Sequence, residues 1–179
     1  MLQKCSTIVV AKIFFEEPTK SHYLIEISNK TNLAHTSVKS HLVLLKKNSI
    51  IAESSEKRGK RIFPFYKASL NNIYYKVYKK HDNLLSLEES GLIEELDTKF
   101  MPKCIVLFGS YAKGEDIENS DIDLFLECKN GDYELSKFEK QLKRKVQLHF
   151  KDDFSKYPTE LRNNIINGII LKGYLEAFK

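Results

Sequence analysis

The chain has 179 residues, 42 % of them apolar and 30 % charged, which suits a folded protein of one large or two small domains. Uninterrupted apolar runs such as Ile8–Ala11 and Ile105–Phe108 span four residues. A membrane-spanning helix needs roughly 20, and the N-terminus also lacks the apolar block of a secretory signal. Three widely spaced cysteines without a CxxC pair argue against a disulfide scaffold or zinc site, so we expect a protein of the reducing cytoplasm.

The net charge of +5 conceals an uneven distribution along the chain. Residues 1–80 carry 15 Lys and Arg against 5 Asp and Glu, a balance of +10, whereas residues 81–179 have a balance of −5. A basic half joined to an acidic half is typical of two modules with different partners, although chance clustering of solvated side chains gives the same pattern.

The N-terminal part has the pattern of three helices. Apolar residues predict a first helix over residues 5–15, which the proline at Pro18 ends. Ser21 is positioned to cap a second helix, and a turn at residues 31–32 separates it from a third helix that ends at Asn48. The apolar face of the third helix consists of Val38, Leu42 and Leu45.

A β-hairpin and a long helix are predicted next. The strands cover Ile50–Glu53 and Arg61–Lys67, and a polar, basic tip covers residues 54–60. A helix over residues 70–89, capped by Ser69, is interpreted as the connector between two modules and as a candidate dimer surface. Its predicted apolar side consists of Ile73, Val77, Leu84 and Leu87.

The remaining elements alternate between helices and short strands. Helices are predicted over 92–100, 133–144 and 158–167, and strands over 104–108, 122–127, 146–150 and 169–171. The sequence thus predicts an α+β protein divided into residues 1–68, a connector at 69–91, and a second domain at 92–179.

The N-terminal element order resembles the winged helix-turn-helix domains of bacterial and archaeal transcription regulators, over about residues 5–68. The resemblance implies that the third helix enters the major groove of double-stranded DNA, and that a homodimer binds paired half-sites. Winged helices also serve as protein-binding or dimerisation modules, so that alternative stays open. The expected DNA contacts are His35, Thr36, Ser37, Lys39, Ser40 and His41 in the helix, and Lys57, Arg58, Lys60 and Arg61 at the wing.

The most informative stretch covers residues 105–124, where an apolar strand is followed by glycine, serine and two aspartates. Gly109 allows a phosphate to approach the backbone closely, and Ser110 is positioned to cap a helix whose N-terminus favours an anion. Asp121 and Asp123 alternate on a strand, so their carboxylates share one face. Two carboxylates on one face can hold Mg²⁺ between the protein and a triphosphate.

This stretch matches the pattern GSxxxGxxxxxSDxDL of the polymerase-β-like nucleotidyltransferases, and it resembles their minimal archaeal and bacterial members over about residues 92–179. The resemblance implies a small mixed sheet flanked by helices. It also implies transfer of a nucleoside monophosphate from an NTP, with ATP expected, to a hydroxyl group with the help of two Mg²⁺ ions. The metal-binding catalytic residues would be Asp121 and Asp123, and the nucleotide would contact Gly109, Ser110, Lys113, Gly114 and Ser120.

One acid of that family pattern is missing. Active members usually place a third carboxylate on a later strand, where this chain has Gln147, with His149 following on the same face. Glutamine cannot act as a general base, and histidine is a poor ligand for Mg²⁺. Glu127 and the pair Asp152-Asp153 are the remaining acids that could substitute, although Glu127 is better explained as a strand-end charge and Asp152-Asp153 as a loop.

Three functions stay open. In the first, the chain is a nucleotidyltransferase with a DNA-binding winged helix, and the resemblance implies an antitoxin role with an all-helical toxin as partner. In the second, it is a DNA-binding transcriptional regulator whose nucleotidyltransferase-like domain senses a nucleotide or binds a partner without turnover. In the third, both domains bind only protein.

Overall fold

The structure, a computed structural model, describes residues 5–176 except for the side chains of Arg58 and Ser155. The chain divides into two compact units, Met1–Lys79 (unit 1) and Lys80–Lys179 (unit 2). Over the described residues the fold is of the α+β class, with eight α-helices and two sheets. No helix in this part of the chain is long and apolar enough to cross a membrane.

Unit 1 contains three helices and a small antiparallel sheet with strand order β1-β3-β2. The helices pack around Phe14, Ile27, Val38 and Leu42, all of which are buried. The apolar stripe predicted for the third helix is therefore confirmed. The elements are α1 (Ser6–Glu16), β1 (His22–Tyr23), α2 (Leu24–Thr31), α3 (His35–Lys47), β2 (Ile51–Arg58) and β3 (Arg61–Ala68), followed by the first turns of α4 (Ile73–Ser90).

The start of the second helix differs from its prediction. Tyr23, rather than Ser21, is the N-cap of α2, and the Glu26 carboxylate accepts a hydrogen bond from the Tyr23 backbone N–H at 3.5 Å. The reason is the strand β1, in which His22 and Tyr23 pair with Tyr66 and Phe65 of β3. Two residues of sheet pairing thus move the helix start beyond Ser21.

The hairpin of unit 1 is longer than its prediction. Strand β2 continues through the residues expected to form the tip, and the turn consists of Gly59 and Lys60 alone. Gly59 has a φ of +62°, a left-handed conformation that glycine adopts without strain. The sequence prediction missed this extension because the β2 segment is polar and largely exposed, so it shows no apolar alternation.

A charged cluster joins the end of α1 to α2. His22 is fully buried, with Nδ1 3.3 Å from Glu26 Oε1 and Nε2 3.2 Å from the Glu17 carbonyl oxygen. Lys30 donates to the carboxylates of both Glu17 and Glu26, and Lys20 donates to Glu17 at 2.6 Å. The three potential ligands Glu17, His22 and Glu26 lie close enough to hold a metal ion, but the lysine ammonium groups already neutralise the carboxylates. We interpret this cluster as a structural ion-pair network.

Acid is expected to loosen this cluster. Burial acts to raise the pKa of Glu17, but hydrogen bonds from Lys20 and Lys30 outweigh it and lower the pKa from 4.5 to about 2. A carboxyl whose pKa is lowered by folding stabilises the fold above its unfolded pKa and loses that contribution as pH falls towards the folded value. Hydrogen-exchange protection factors of the amides in residues 14–30 should therefore decrease between pH 4.5 and pH 2.

The matched control for that experiment is Glu17→Gln, which cannot titrate. Its protection factors should start lower than those of the wild type at pH 6 and approach them near pH 2. A wild type and a variant that differ equally at all pH values would contradict the expected role of Glu17.

Unit 2 is built on a four-stranded sheet of order β6-β5-β4-β7, in which only β5 and β6 are parallel. One face packs against Leu92, Leu96 and Phe138, and the other against Phe154 and Ile165. This mixed sheet between helices confirms the predicted class. After α4, the elements are α5 (Leu92–Phe100), β4 (Cys104–Phe108), α6 (Gly109–Lys113), β5 (Ile122–Leu126), α7 (Ser136–Leu142), β6 (Val146–Phe150), a 3-10 helix (Phe154–Lys156), α8 (Thr159–Ile166) and β7 (Ile169–Gly173).

The long helix α4 begins later than predicted. Leu84 and Leu87 lie on its packed side as expected, but its first half buries a different face. The Asn72 side chain, rather than Ser69, accepts hydrogen bonds from the first free N–H groups, those of Tyr74 and Tyr75. Ile73 and Val77 were expected on the apolar side, yet they are 66 % and 41 % exposed. Tyr75 is buried instead, and its hydroxyl donates to the Phe14 carbonyl at 2.8 Å.

Candidate active site

The first wall of the site is the sharp turn that follows β4. All five residues of β4 are buried, and the chain leaves the sheet at Gly109 with a φ of +77°. A Cβ atom at this position would lie 2.5 Å from Asp123 Oδ2. Glycine is therefore required both for the backbone conformation and for the close approach of the turn to this carboxylate.

Ser110 has a different place from the one predicted. It lies inside α6, whose N-cap is Phe108, and it does not cap the helix through its side chain. Because α6 has only five residues, few peptide dipoles add up at its start, and the expected anion site at a helix N-terminus is weakened. Gly114, with a φ of +69°, ends the helix, and the Glu115 N–H donates to the Ser110 carbonyl at 3.0 Å.

The two aspartates lie where β5 begins. Asp123 stands in register with Phe108 of β4 on one side and with Gln147 of β6 on the other. Asp121 immediately precedes the strand, and both side chains are half-buried. Alternation along the strand places both carboxylates on one face of the sheet, as the sequence predicts.

Both aspartates contact β6. The Gln147 side chain donates from Nε2 to Asp121 Oδ2 at 2.5 Å, and His149 Nε2 lies 3.3 Å from Asp123 Oδ1. The His149 ring also packs against Phe108, with ring centroids 5.1 Å apart. In this arrangement an amide and an imidazole occupy the side of the acid pair on which the family pattern places a third carboxylate.

The other predicted nucleotide contacts lie along the chain between the turn after β4 and Asp121. The Ser120 hydroxyl accepts a hydrogen bond from the Ile117 N–H at 2.9 Å and so closes the loop before Asp121. Lys113 is exposed at the end of α6. Lys145 is exposed just before β6, and its carbonyl accepts from the Ile122 N–H.

Neither group of substitute acids reaches the site. Glu127 is buried beyond the end of β5, where the Cys104 thiol donates to its carboxylate at 3.7 Å. Burial, together with Glu127, raises the pKa of Cys104 to about 12. Asp152 and Asp153 lie after β6 and contact Lys156, so the structure supports their interpretation as loop residues.

A cavity of about 350 Å³ opens beside Asp121, on the β6 side of the sheet. Sequence reasoning missed it, because its walls come from three segments that are distant along the chain. The loop before β5, helix α7 and the turn before β6 supply Glu118, Asn119, Ser120, Asp121, Glu139, Lys143, Arg144 and Lys145.

The residues predicted to contact DNA fall into two groups on α3. His35, Thr36, Lys39 and Ser40 are exposed, as expected for an outward face. His41 is instead held within unit 1, because its Nδ1 lies 2.9 Å from the Thr7 hydroxyl and its Nε2 3.3 Å from the hydroxyl of Ser37. Ser37 and His41 are half-buried, and their role as DNA contacts stays a prediction.

The basic residues of the hairpin lie at or next to its turn. Lys57, Lys60 and Arg61 are exposed, while the Arg58 side chain lies outside the described residues. The strand register places Arg58 opposite Arg61.

Two of the comparisons with known proteins give a match. The family model described as "Polymerase beta, Nucleotidyltransferase" matches residues 91–175. A Methanocaldococcus jannaschii protein, whose name describes a candidate protein adenylyltransferase, is 50 % identical over 38 residues, 21 % of this chain and 38 % of that relative. No solved structure gives a significant match. Residues 91–175 therefore carry a polymerase-β-type nucleotidyltransferase domain.

Proposed function

We propose that unit 2 transfers an adenylate group from ATP to a hydroxyl group of a protein. The observation that carries this proposal is the pair Asp121 and Asp123 on one face of the sheet, with the turn at Gly109 packed directly against Asp123. A protein acceptor is supported by the name of the similar protein from Methanocaldococcus jannaschii.

The geometry assigns a side to each reactant. The acceptor oxygen forms a bond to the α-phosphorus as the bond to the bridging oxygen breaks; pyrophosphate leaves with the electron pair, and the hydroxyl proton is lost to water. Attacking and leaving oxygens lie roughly in line in such transfers. Strand order places Gly109 on the β4 side of the acids and Gln147 on the β6 side. Pyrophosphate therefore leaves over the Gly109-Ser110 turn, and the acceptor approaches from the side of the cavity.

The donor set fits one Mg²⁺ ion. Mg²⁺ is usually held by one or two carboxylates together with phosphate oxygens and water, and Asp121 and Asp123 supply the two carboxylates. A second ion would need a further anionic ligand, whereas Gln147 offers only a neutral amide oxygen. When bound, Mg²⁺ neutralises charge on the transferring phosphate. The chain itself holds Asp121 through Gln147, and glycine at position 109 lets the turn pack directly against Asp123.

ATP labelled at different phosphorus atoms tests the transfer. The protein is incubated with Mg²⁺, a cell extract as the source of acceptors, and ATP labelled at either the α- or the γ-phosphorus. The proposal expects α-label in the protein fraction and γ-label in released pyrophosphate. Label from the γ-position in protein, or no transfer from either position, would contradict it.

A second candidate function is nucleotide binding without turnover. The hydrogen bond from Gln147 to Asp121 favours it, because this neutral donor replaces the acid that active members usually carry. In that case ATP binds in a Mg²⁺-dependent manner, but the α-label stays in ATP.

We further propose that unit 1 is a winged helix-turn-helix module that binds double-stranded DNA, as a homodimer on paired half-sites. The order of three helices and a hairpin, the exposed polar face of α3 and the basic hairpin tip support this proposal. Phosphate contacts would neutralise the exposed basic side chains Lys57, Lys60 and Arg61 near the tip.

The salt dependence of DNA binding tests this proposal. Replacing Lys57, Lys60 and Arg61 by glutamine should reduce the slope of log K against log salt by about 3, since each phosphate contact contributes roughly 0.9. Filter binding or fluorescence anisotropy with a random duplex from 50 to 200 mM salt measures the slope.

The control removes the same charge elsewhere. Glutamine at the exposed residues Lys129, Lys156 and Lys172 of unit 2 should leave the slope within about one unit of the wild type. An equal loss in both triple variants would point to net charge rather than to the wing.

A further inference from the structure

Three polar residues, Asn83, Asp116 and Arg144, form a buried cluster in unit 2 that the proposed reaction does not use directly. They are 6 %, 2 % and 9 % exposed, respectively. The Asn83 amide donates to Asp116 Oδ1 at 2.8 Å, and the Arg144 guanidinium lies 3.6 Å from Asp116 Oδ2. Asn83 and Arg144 lie 33 and 28 residues from Asp116 along the chain, yet both contact its carboxylate.

Each member of the cluster belongs to, or contacts, a segment that carries a site residue. Asp116 lies in the loop between α6 and Asp121. Arg144 lies in the turn that leads to Gln147, and its guanidinium also donates to the Lys143 carbonyl at 3.0 Å. The Asn83 amide also donates to the carbonyl of Tyr111, the residue after Ser110, at 3.0 Å. The cluster therefore joins the segments of Ser110, Asp121 and Gln147.

We propose that Asn83, Asp116 and Arg144 are positioning residues. They hold the Gly109-Ser110 turn, the two aspartates Asp121 and Asp123, and the start of β6 in the geometry needed for nucleotide binding. A buried ion pair adds little net stability compared with apolar residues of similar volume, because desolvation offsets its attraction. Its directional contacts nevertheless fix the loop over residues 114–121, and a site displaced by about 1 Å can lose roughly a hundredfold in rate.

This inference rests on the proposed nucleotide site, and its test separates fold stability from positioning. Asp116→Asn keeps the acceptor for Asn83 but faces Arg144 with an amide donor. We expect a lower melting temperature and Mg²⁺-ATP affinity weaker by about 10- to 100-fold. The double variant Asp116→Leu/Arg144→Met removes both charges. It should regain most of the melting temperature, while its affinity stays at least about tenfold weaker than that of the wild type.

Two outcomes of titration calorimetry overturn the inference. One is a double variant that binds Mg²⁺-ATP as tightly as the wild type. The other is an equal loss of affinity in Asp97→Asn, which breaks only the exposed ion pair of Asp97 with Lys172 at 3.1 Å. Asn83→Ala is a milder variant that keeps the ion pair. A loss of affinity of about fivefold or more in this single variant would support the inference.

Hydrogen exchange distinguishes failure of this inference from failure of the proposed function. If the wild type itself does not bind Mg²⁺-ATP, the proposed function fails, and the cluster is then judged by exchange alone. The amides of residues 114–121 should exchange at least about tenfold faster in the double variant than in the wild type, with β4 and β5 unchanged. Equal exchange in this loop would overturn the positioning role.

Discussion

Replacing Asp123 by asparagine is expected to reduce Mg²⁺-dependent adenylate transfer by about 10³-fold, roughly 4 kcal/mol of transition-state stabilisation. Asp123 stands in register with Phe108 on one side and with Gln147 on the other. Its Oδ2 atom lies close to the position that a Cβ of residue 109 would take. Asparagine keeps the size of the side chain but removes the negative charge that would bind Mg²⁺. Initial rates with saturating ATP and α-label measure the effect.

The matched control is Asp152→Asn, which removes a carboxylate from the loop after β6. It should leave the rate within about twofold of the wild type, because surface charges away from the site contribute little. Retention of more than a tenth of the rate in Asp123→Asn would contradict the assignment of Asp123 as a metal ligand.

Replacing Gln147 by aspartate is expected to strengthen the binding of Mg²⁺. Three carboxylates would then share one face, so the melting temperature should fall without Mg²⁺, since like charges repel. With Mg²⁺ the third carboxylate adds an anionic ligand, and the affinity for the ion should rise about tenfold, or 1.4 kcal/mol. Melting curves over a Mg²⁺ series, with and without ATP, measure both effects.

Gln141→Asp is the control for added charge, because Gln141 is exposed on α7. It should change the melting temperature little and leave its dependence on Mg²⁺ unaltered. If Gln147→Asp behaves in the same way, then Gln147 does not stand beside the metal position, and the account of the missing third carboxylate is wrong.

Much of unit 2 could be predicted from local sequence patterns. The strand of residues 104–108 is a buried apolar run, and that of residues 122–126 is apolar except for Asp123. Glycine or polar residues lie at the ends of both strands, and this pattern favours sheet. The family resemblance places Gln147 at the position of the third acid, and the structure sets it in register with Asp123. The predicted helix cap at Ser110 was wrong. Phe108 takes the extended N-cap conformation, and the helix begins at Gly109.

Unit 1 shows where tertiary contacts outweigh local patterns. His22 pairs with Tyr66, a residue far away along the chain. Because of this pairing, α2 does not begin after Ser21, where the local sequence favours its cap. His41 has the spacing of an outward residue of α3, yet Thr7 of α1 engages its ring. Only the first half of α4 was mispredicted, because Tyr75 packs against the core of unit 1 and its hydroxyl donates to the Phe14 carbonyl.

The buried cluster of unit 2 had no signal in the sequence. Asp116 and Arg144 stand among other charged residues, and charged side chains are almost never fully buried unless they are paired. The pairing requires the loop after α6 and the turn before β6 to meet, which depends on the parallel placement of β6 beside β5. Only the assembled sheet distinguishes these two charges from their exposed neighbours.

Calorimetric titration of ATP into the full chain, with Mg²⁺ or with EDTA, tests the central claim most directly. The claim is that Asp121 and Asp123 bind a Mg²⁺-nucleotide beside the turn at Gly109. It predicts binding with Mg²⁺, no binding with EDTA, and affinity weaker by at least about 100-fold in Asp121→Asn/Asp123→Asn. Equal affinity in the wild type and this double variant, or binding that does not depend on Mg²⁺, would contradict it.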